Sequence, residues 1–251
     1  IQEVITPMAQ VGKEALGSMG IDTPLAVLSN KPQLISNYFK QLFAQVTNPP
    51  LDGIREEIVT DISLALGQDR NIFDISKKQC RKLRIQNPVI SNEDLEKIRN
   101  ISVDNFKSET IEILYPKVKG LNGLEDALEN IIVQITKAID RGTNIIILSD
   151  RGVNKEFAPI PSLLACSYVH HQMNRLRKRS YFDIIIESAE PREPHHFATL
   201  FGYGASAINP YMVNEIIRMQ VKEGFITGMD EQKAVDNFNK AIGKGILKVL
   251  G

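Results

Sequence analysis

The side chains best suited to chemistry are concentrated in one stretch, ESAEPREPHHF, which covers residues 187–197. It contains Glu187, Glu190, Arg192, Glu193, His195 and His196. Carboxylates and imidazoles are the usual components of metal sites and of acid–base catalysis. On a helix, however, Glu193 and His195 are two residues apart and the two histidines are adjacent, so neither pair faces a common ligand. This spacing disfavours a metal site.

A second polar stretch is SDRGVNKEFAPIPSLL, residues 149–164, where Asp150 and Arg151 directly follow an apolar run. Ligands of parallel sheets bind beyond the carboxyl ends of the strands. A helix beginning near Ser162 and a nearby arginine could hold an anion there. Alternatively, Asp150 and Arg151 pair with neighbours in a tight turn between strand and helix. Both interpretations are open at this point.

Other motifs of catalysis or cofactor binding are absent from the sequence. The glycines of GYGASAINPY precede a strand rather than follow one, which favours a tight helix-to-strand turn over a dinucleotide-binding turn. Ser162 and Ser167 lack the G-x-S-x-G context of a hydrolase nucleophile. His170 and His171 are adjacent and favour packing or hydrogen bonding. Cys80 and Cys166 are far apart and are interpreted as free thiols.

Four short apolar runs that alternate with helical patterns predict the elements that position these residues. They lie in ETIEILYP, NIIILSD, YFDIIIES and ASAINPY. Strands separated by helices indicate crossover connections and parallel pairing, and runs that are apolar at successive positions indicate strands covered on both faces. The sequence therefore predicts an α/β fold with a mainly parallel sheet flanked by helices.

Two of the flanking helices have recognisable ends. In NGLEDALENIIVQITKAIDRG, apolar residues recur at the helical period, Asn122 can cap the start and Gly142 can end the helix. In NPYMVNEIIRMQVKEG, Asn209 is the predicted cap, Pro210 the first helical residue and Gly224 the end. Both helices are expected to pack on the sheet.

The N-terminal portion is predicted to be irregular. PLAVLS is typical of a strand, SNEDLEKIRN of a short capped helix, and QLISNYFKQLFAQV of a longer helix. The buried stripe of that longer helix is predicted to be Ile35, Tyr38, Phe39, Leu42, Phe43 and Val46. Residues 1–251 contain no repeat or flexible linker, so we expect one domain, with two lobes as the alternative.

Composition excludes several classes of protein. The 30 basic and 30 acidic residues balance, which argues against a nucleic-acid surface or a polybasic membrane patch. No apolar run reaches the ~20 residues that span a bilayer, and IQEVITPMAQ lacks the features of a signal peptide. Two distant cysteines fit a reducing compartment. These observations predict a soluble cytoplasmic protein.

Longer stretches of the sequence resemble the central domain of the large chain of glutamate synthase. The matching segments are GKEALGSMGIDTPLAVLS, YFKQLFAQVTNPPLDGIREE, ILSDRGV, APIPSLLACSYVHH and ESAEPREPHHFATLFGYGASAINPY. They recur in order along nearly all of the chain, with the weakest match between about residues 67 and 120.

This resemblance implies a non-catalytic domain with two partners in the same parent chain. One partner is an amidotransferase domain that releases ammonia from glutamine, and the other is an FMN-binding barrel that makes glutamate. The central domain connects them and helps to enclose the ammonia route. FMN and an iron–sulfur cluster are expected in the parent protein.

The resemblance also implies what this segment lacks. It begins with Ile1 in place of a nucleophilic cysteine and ends at GKGILKVLG, where the FMN-binding barrel would begin. The segment is therefore predicted to contain no catalytic, cofactor-binding or metal-binding residues. It is expected to have no glutaminase activity and to bind no FMN. Both ends resemble cuts in a longer polypeptide, so Val4, Ile5, Met8, Phe238, Ile242, Ile246 and Val249 are expected to be exposed apolar residues.

The corner LFAQVTNPPLDGIREE, residues 42–57, is interpreted as a docking feature, with a solvated turn as the alternative. Asn48, Pro49 and Pro50 would end a helix, and the charged residues after them would register one domain against another. The candidate docking or loop residues are Arg55, Glu56, Glu57, Asp150, Arg151, Glu187, Arg192 and His195. Two other functions stay open: a self-sufficient small-molecule enzyme, or a metabolite-binding module, with its site near Asp150, Arg151, Glu187 and His195.

Overall fold

The computed structural model describes residues 1–15, 24–40, 55, 58–71, 73–103 and 105–250. The chain divides into two compact units. The first comprises Ile1–Ile62, Arg192–Thr199 and Glu215–Gly251, and the second comprises Ser63–Pro191 and Leu200–Asn214. The assignment of residues 1–251 to one domain stays a prediction, because compact units can be parts of one domain or separate domains.

The strands of the described residues all belong to the second unit. They are β1 (Leu64–Leu66), β2 (Leu83–Ile85), β3 (Ser108–Glu112), β4 (Leu114–Pro116), β5 (Ile145–Ser149), β6 (Phe157–Pro159), β7 (Asp183–Glu187) and β8 (Ala207–Asn209). A parallel sheet contains β3, β5, β7 and β8 in that order, which confirms the predicted mainly parallel sheet. β1 pairs with β2, and β4 with β6, as antiparallel ribbons.

The helices predicted in SNEDLEKIRN, NGLEDALENIIVQITKAIDRG and NPYMVNEIIRMQVKEG are present. The α-helices of the described residues are α1 (Ile5–Val11), α2 (Asn92–Arg99), α3 (Gly120–Asp140), α4 (Ser162–Arg175), α5 (Pro194–Gly202), α6 (Tyr211–Lys222) and α7 (Glu231–Leu250). In the second unit, α4 packs on β5 and β7, and Leu95 and Ile98 of α2 join the isoleucines of β5 in one apolar cluster. Every residue of β5 is buried, as expected for a strand covered on both faces.

Helix and turn ends follow local rules with two exceptions, at Asn122 and at the start of α6, where Asn209 ends β8 and the first helical residue is Tyr211 instead of the predicted Pro210. Ser91 caps α2 by accepting a hydrogen bond from the Asp94 N–H, and Gly142 follows α3 with a φ of 85°. The predicted cap at Asn122 is wrong, because a 3-10 turn at Lys117–Lys119 leads directly into α3 at Gly120. Gly204 confirms the helix-to-strand turn: its φ is 103°, and a Cβ there would collide with the imidazole of His170.

The predictions for residues 24–40 are corrected by the structure. Ala26–Leu28 is a 3-10 turn rather than a strand. Its Val27 and Leu28 are exposed, so they lack the packing against other residues that would stabilise a strand. The predicted longer helix is a 3-10 helix over Ile35–Phe39 that gives way to extended backbone at Lys40. Tyr38 and Phe39 are 54% and 44% exposed instead of buried. The rest of that stripe, Leu42, Phe43 and Val46, lies outside the described residues.

The first unit joins the two ends of the chain. α1 packs on α7, and Ile5, Met8, Phe238, Ile242 and Ile246 are buried. The expectation that these side chains are exposed is therefore wrong, because the two amphipathic helices cover each other's apolar faces. Among the seven residues named for exposure, Val4 is half-buried and Val249 is exposed. The burial of these side chains therefore removes the support that exposed apolar residues would have given to the prediction that both ends are cuts in a longer polypeptide.

Candidate functional site

The carboxyl edge of the parallel sheet carries a buried carboxylate, Glu187, at the end of β7. Its side chain is 1% exposed. Its oxygens accept hydrogen bonds from Ser149 Oγ at 2.6 Å, Arg151 Nε at 2.5 Å and Arg99 Nη2 at 2.9 Å. Ser149 ends β5, Arg151 follows it, and Arg99 ends α2, so three elements converge on one carboxylate.

The protonation of Glu187 is determined by these partners. Burial alone would raise its pKa, but the hydrogen bonds from Ser149, Arg151 and Arg99 and the charge of Arg99 outweigh that effect. The pKa of Glu187 consequently lies below its ordinary value. A carboxylate that is ionised and fully engaged with donors is suited to fixing arginines rather than to transferring protons.

The two arginines of this cluster differ in how many of their donors are engaged. Arg99 uses Nε for Glu96, Nη1 for Thr110 and Nη2 for Glu187. Arg151 uses Nε for Glu187, and its guanidinium carbon lies 4.0 Å from the centroid of the Tyr211 ring. The terminal nitrogens of Arg151 have no hydrogen-bond partner among the described residues. Half of this side chain is exposed.

Asp150 is buried beside this cluster and engaged with the turn after β7. Its carboxylate accepts from Ser188 Oγ at 2.6 Å and from the Ala189 N–H at 3.0 Å. Burial and the neighbouring Asp150, to which its hydroxyl is hydrogen-bonded, raise the pKa of Tyr211 above its ordinary value. Asp150 and Arg151 thus pair with groups at the end of β7 and in the turn after it, rather than within their own turn, which leads to β6 and not directly to a helix.

The helix start proposed as an anion site already has an anionic partner. At the N-terminus of α4, Ser162 donates to the Glu190 carboxylate from its N–H at 2.7 Å and from its Oγ at 2.5 Å. A carboxylate at a helix N-terminus is stabilised by the unpaired N–H groups and the helix dipole. Glu190 therefore occupies, from within the chain, the position that an anionic ligand would take.

The remaining predicted residues belong to the first unit. His195 Nε2 lies 2.8 Å from the Ser36 carbonyl oxygen, and the N–H of Arg192 donates to His196 Nδ1. Glu193 pairs with Lys40 at 2.7 Å. Burial lowers the pKa of His196 to about 4. Within the part of the chain that the structure describes, no group of three His, Cys, Asp or Glu side chains is arranged to hold a metal ion.

The two cysteines are free, as the sequence predicts. Cys80 is exposed and Cys166 is buried. Burial raises the pKa of the Cys166 thiol to about 12, so it stays protonated at neutral pH. Arg55 is exposed, and Glu56 and Glu57 lie outside the described residues. No described helix is both long and apolar enough to cross a membrane.

The sequence identified Asp150, Arg151 and Glu187 but not the residues that hold them. Arg99 and Tyr211 were missed because each lies at the end of a helix far along the chain from its partner. Tyr211 carried a usable signal, since it comes two residues after β8 and so near the same edge of the sheet. Arg99 carried none, because its position depends on how α2 packs.

A further cavity of about 550 Å³ lies in the second unit near the opposite edge of the sheet. Its lining includes Asp140, Thr143, Arg177 and Lys178. These residues include none of the predicted site residues.

Comparison with known proteins gives one consistent result. A family model described as the glutamate synthase central domain matches residues 1–251. The chain is 42% identical to the glutamate synthase [NADPH] large chain of Bacillus subtilis over 100% of this chain and 16% of that protein. It is 41% identical to the glutamate synthase [NADH] of Schizosaccharomyces pombe over 100% of this chain and 12% of that protein.

A third relative supports the same family, whereas the likeness to a solved structure is weak. The chain is 36% identical to the ferredoxin-dependent glutamate synthase 2 of Synechocystis over 100% of this chain and 17% of that protein. It therefore spans only a small part of the length of these relatives. Among solved structures, a mutant flavocytochrome b2 with benzoylformate has a TM-score of 0.40 and 9% identity, over 47% of this chain and 28% of that one.

Proposed function

Because the chain belongs to the glutamate synthase central domain family, we propose that it is a non-catalytic connecting domain of a glutamate synthase. Its partners are the amidotransferase and FMN-binding domains of the same parent chain. It connects them and helps to enclose the ammonia that passes from one to the other, in the service of glutamate biosynthesis. FMN and an iron–sulfur cluster belong to the parent protein and not to this segment.

One observation supports a connecting rather than a catalytic role. The carboxylate best placed for chemistry, Glu187, is 1% exposed and accepts from Ser149, Arg151 and Arg99. A general acid or base must reach the reacting group and exchange its proton near neutral pH. Glu187 is inaccessible, and its lowered pKa keeps it ionised. Its role in this proposal is to hold the edge of the sheet rigid.

The nitrogen balance of the full parent polypeptide tests the connecting role. We expect the wild-type protein to incorporate the amide nitrogen of glutamine into glutamate with little ammonia in the medium. Glu187→Gln should release a larger fraction as free ammonia while glutamine hydrolysis continues, because a less rigid connector encloses the route less well. Glu109→Gln is the matched control, since Glu109 is a partly exposed carboxylate paired with Arg141. Equal ammonia release by the wild type and Glu187→Gln would contradict the proposal.

The non-catalytic character is tested on the purified 251-residue chain. We expect neither glutamine turnover nor flavin absorbance. Amino acids and phosphorylated metabolites should leave the melting temperature unchanged, since Glu187, Asp150 and Glu190 are engaged by donors of the chain and a half-exposed Arg151 does not enclose a small ligand. A ligand-dependent rise in melting temperature without turnover would favour a metabolite-binding module instead. Turnover of a small substrate would favour a self-sufficient enzyme.

A further inference from the structure

We infer that Arg151 is a docking residue that binds the carboxylate of an aspartate or glutamate in another segment of the parent polypeptide. The inference rests on the proposed connecting function and assigns one of its contacts. It starts from an asymmetry in the Glu187 cluster. Arg99 uses all three kinds of guanidinium nitrogen for contacts with neighbours, whereas within the part of the chain that the structure describes Arg151 uses only Nε.

The unused end of Arg151 is held in place. Its Nε is fixed by the buried carboxylate of Glu187 at 2.5 Å, and its guanidinium carbon lies over the Tyr211 ring, 4.0 Å from the centroid. The backbone N–H of Arg151 also donates to Ser149 Oγ at 3.2 Å. An arginine immobilised in this way has lost most of its side-chain entropy before it meets a ligand. Such preorganisation favours binding over a mobile surface arginine.

The chemistry of the free end selects the ligand class. Two terminal guanidinium nitrogens present parallel N–H donors whose geometry matches the two oxygens of a carboxylate. Glu187 pairs with both arginines, and Arg99 also pairs with Glu96, so it is the pair of terminal N–H donors of Arg151, not a surplus of charge, that favours a carboxylate ligand. Asp150 is buried, and its carboxylate accepts from Ser188 and Ala189, so part of its charge is already compensated.

The surroundings favour a protein carboxylate over a small molecule. Sites for small ligands are concave and enclose most of the ligand, whereas half of the Arg151 side chain is exposed and the 550 Å³ cavity has other lining residues. The relatives are much longer, since this chain covers 12% to 17% of them. A parent polypeptide of that length supplies many acidic side chains beyond this segment. Arginine is also enriched where protein surfaces meet.

Arginine labelling of the wild-type parent polypeptide tests this inference without any mutation. Phenylglyoxal modifies free guanidinium groups, and mass spectrometry gives the rate at each site. Arg141 is the matched reference, because it is 51% exposed, compared with 49% for Arg151, and also pairs with a carboxylate. Its Nη2 is engaged by Glu109, which should slow its labelling. We nevertheless expect Arg151 to be modified about 10-fold more slowly than Arg141, because its terminal nitrogens are covered by the bound carboxylate.

Three outcomes would overturn the inference. Labelling of Arg151 as fast as that of Arg141 would mean that no carboxylate covers it. Protection that appears only when glutamate or 2-oxoglutarate is added would assign the carboxylate to a small molecule. Protection that disappears on dilution would assign it to a second copy of the chain.

A conservative substitution provides an independent measurement. Arg151→Lys keeps the charge near Glu187 but lacks the planar pair of donors. Hydrogen exchange of the full polypeptide should then rise about 10-fold in one acidic segment outside residues 1–251, while β5 and β7 keep their protection. Arg141→Lys should leave that segment unchanged. If the hydrogen exchange of every acidic segment in Arg151→Lys equals that of the wild type, the docking contact is contradicted. The nitrogen balance of the same variant shows separately whether the connecting function persists.

Discussion

At the carboxyl edge of the sheet, Glu187 is 1% exposed beneath two arginines, whereas near the amino edge Glu109 pairs with Arg141 while 30% exposed. Both carboxylates make short contacts with guanidinium groups. They differ in their access to solvent. When one partner of an exposed ion pair is removed, water solvates the other, whereas the remaining charge of a buried pair stays without compensation. The contrast shows that an ion-pair distance alone does not indicate its contribution to stability.

The largest expected difference between the edges is the response to loss of a carboxylate charge. Glu187→Gln should lower the free energy of unfolding by about 3 kcal/mol, since two guanidinium groups lose their counter-charge, and both are partly exposed, which limits the cost. Glu109→Gln should cost less than about 1 kcal/mol. Urea denaturation of the two variants measures both values. Equal costs would remove the distinction between the edges.

A second comparison uses an aspartate from each edge. Asp150→Ala should cost about 1–3 kcal/mol, because Ser188 Oγ and the Ala189 N–H lose their acceptor in a buried turn. Asp140→Ala should cost about 0.5 kcal/mol or less, because Asp140 is exposed and lies 3.5 Å from Lys178. Thermal unfolding of both variants provides the measurement. A larger loss for Asp140→Ala would contradict the assignment of the carboxyl edge as the rigid one.

Acid should affect the carboxyl edge in a defined direction. The pKa of Glu187 is lower in the folded chain than its ordinary value, so the unfolded state takes up its proton first as pH falls. The stabilisation is complete above the ordinary glutamate pKa and is lost as pH falls through the folded pKa. Denaturation between pH 7 and pH 3 should therefore show a stability difference between wild type and Glu187→Gln that shrinks on acidification. A constant difference across that range would exclude this linkage.

The smallest expected effect concerns salt. Raising the ionic strength from about 0.1 M to 1 M shortens the screening length from about 10 Å to 3 Å, which weakens exposed pairs most. The cost of Glu109→Gln should fall by a few tenths of a kcal/mol, while that of Glu187→Gln should change little because its side chain is buried. Denaturation at the two salt concentrations measures the change. Similar salt dependence for both variants would argue that solvent reaches the two carboxylates equally.

The sequence predicted the sheet because its central strands are encoded locally. NIIIL and DIII are apolar at successive positions, and this pattern suffices to identify strands that are covered on both faces. The same reasoning placed Asp150, Arg151 and Glu187 at one edge. Tyr211 could have been found in the same way, because it follows β8. Arg99 could not, since its contacts depend on how helix α2 packs, which no local pattern specifies.

The errors have a similar origin. The apolar faces of α1 and α7 were identified, but they were assigned to the surface because a sequence does not state which two faces meet. In residues 24–40, the pattern predicted Tyr38 and Phe39 to be buried, and both are exposed. In both places the residue types were interpreted correctly as apolar, and the error concerned their tertiary partners.

The pairing of α1 with α7 also has a consequence for the order of synthesis. Ile5 and Met8 emerge from the ribosome before Phe238 and Ile242, which follow more than two hundred residues later. At about 5–20 residues per second, the first helix waits roughly 10 to 50 s for its partner. Its apolar face is available to chaperones throughout that interval. The parallel sheet, whose strands all lie within residues 63–214, can form before α7 is synthesised.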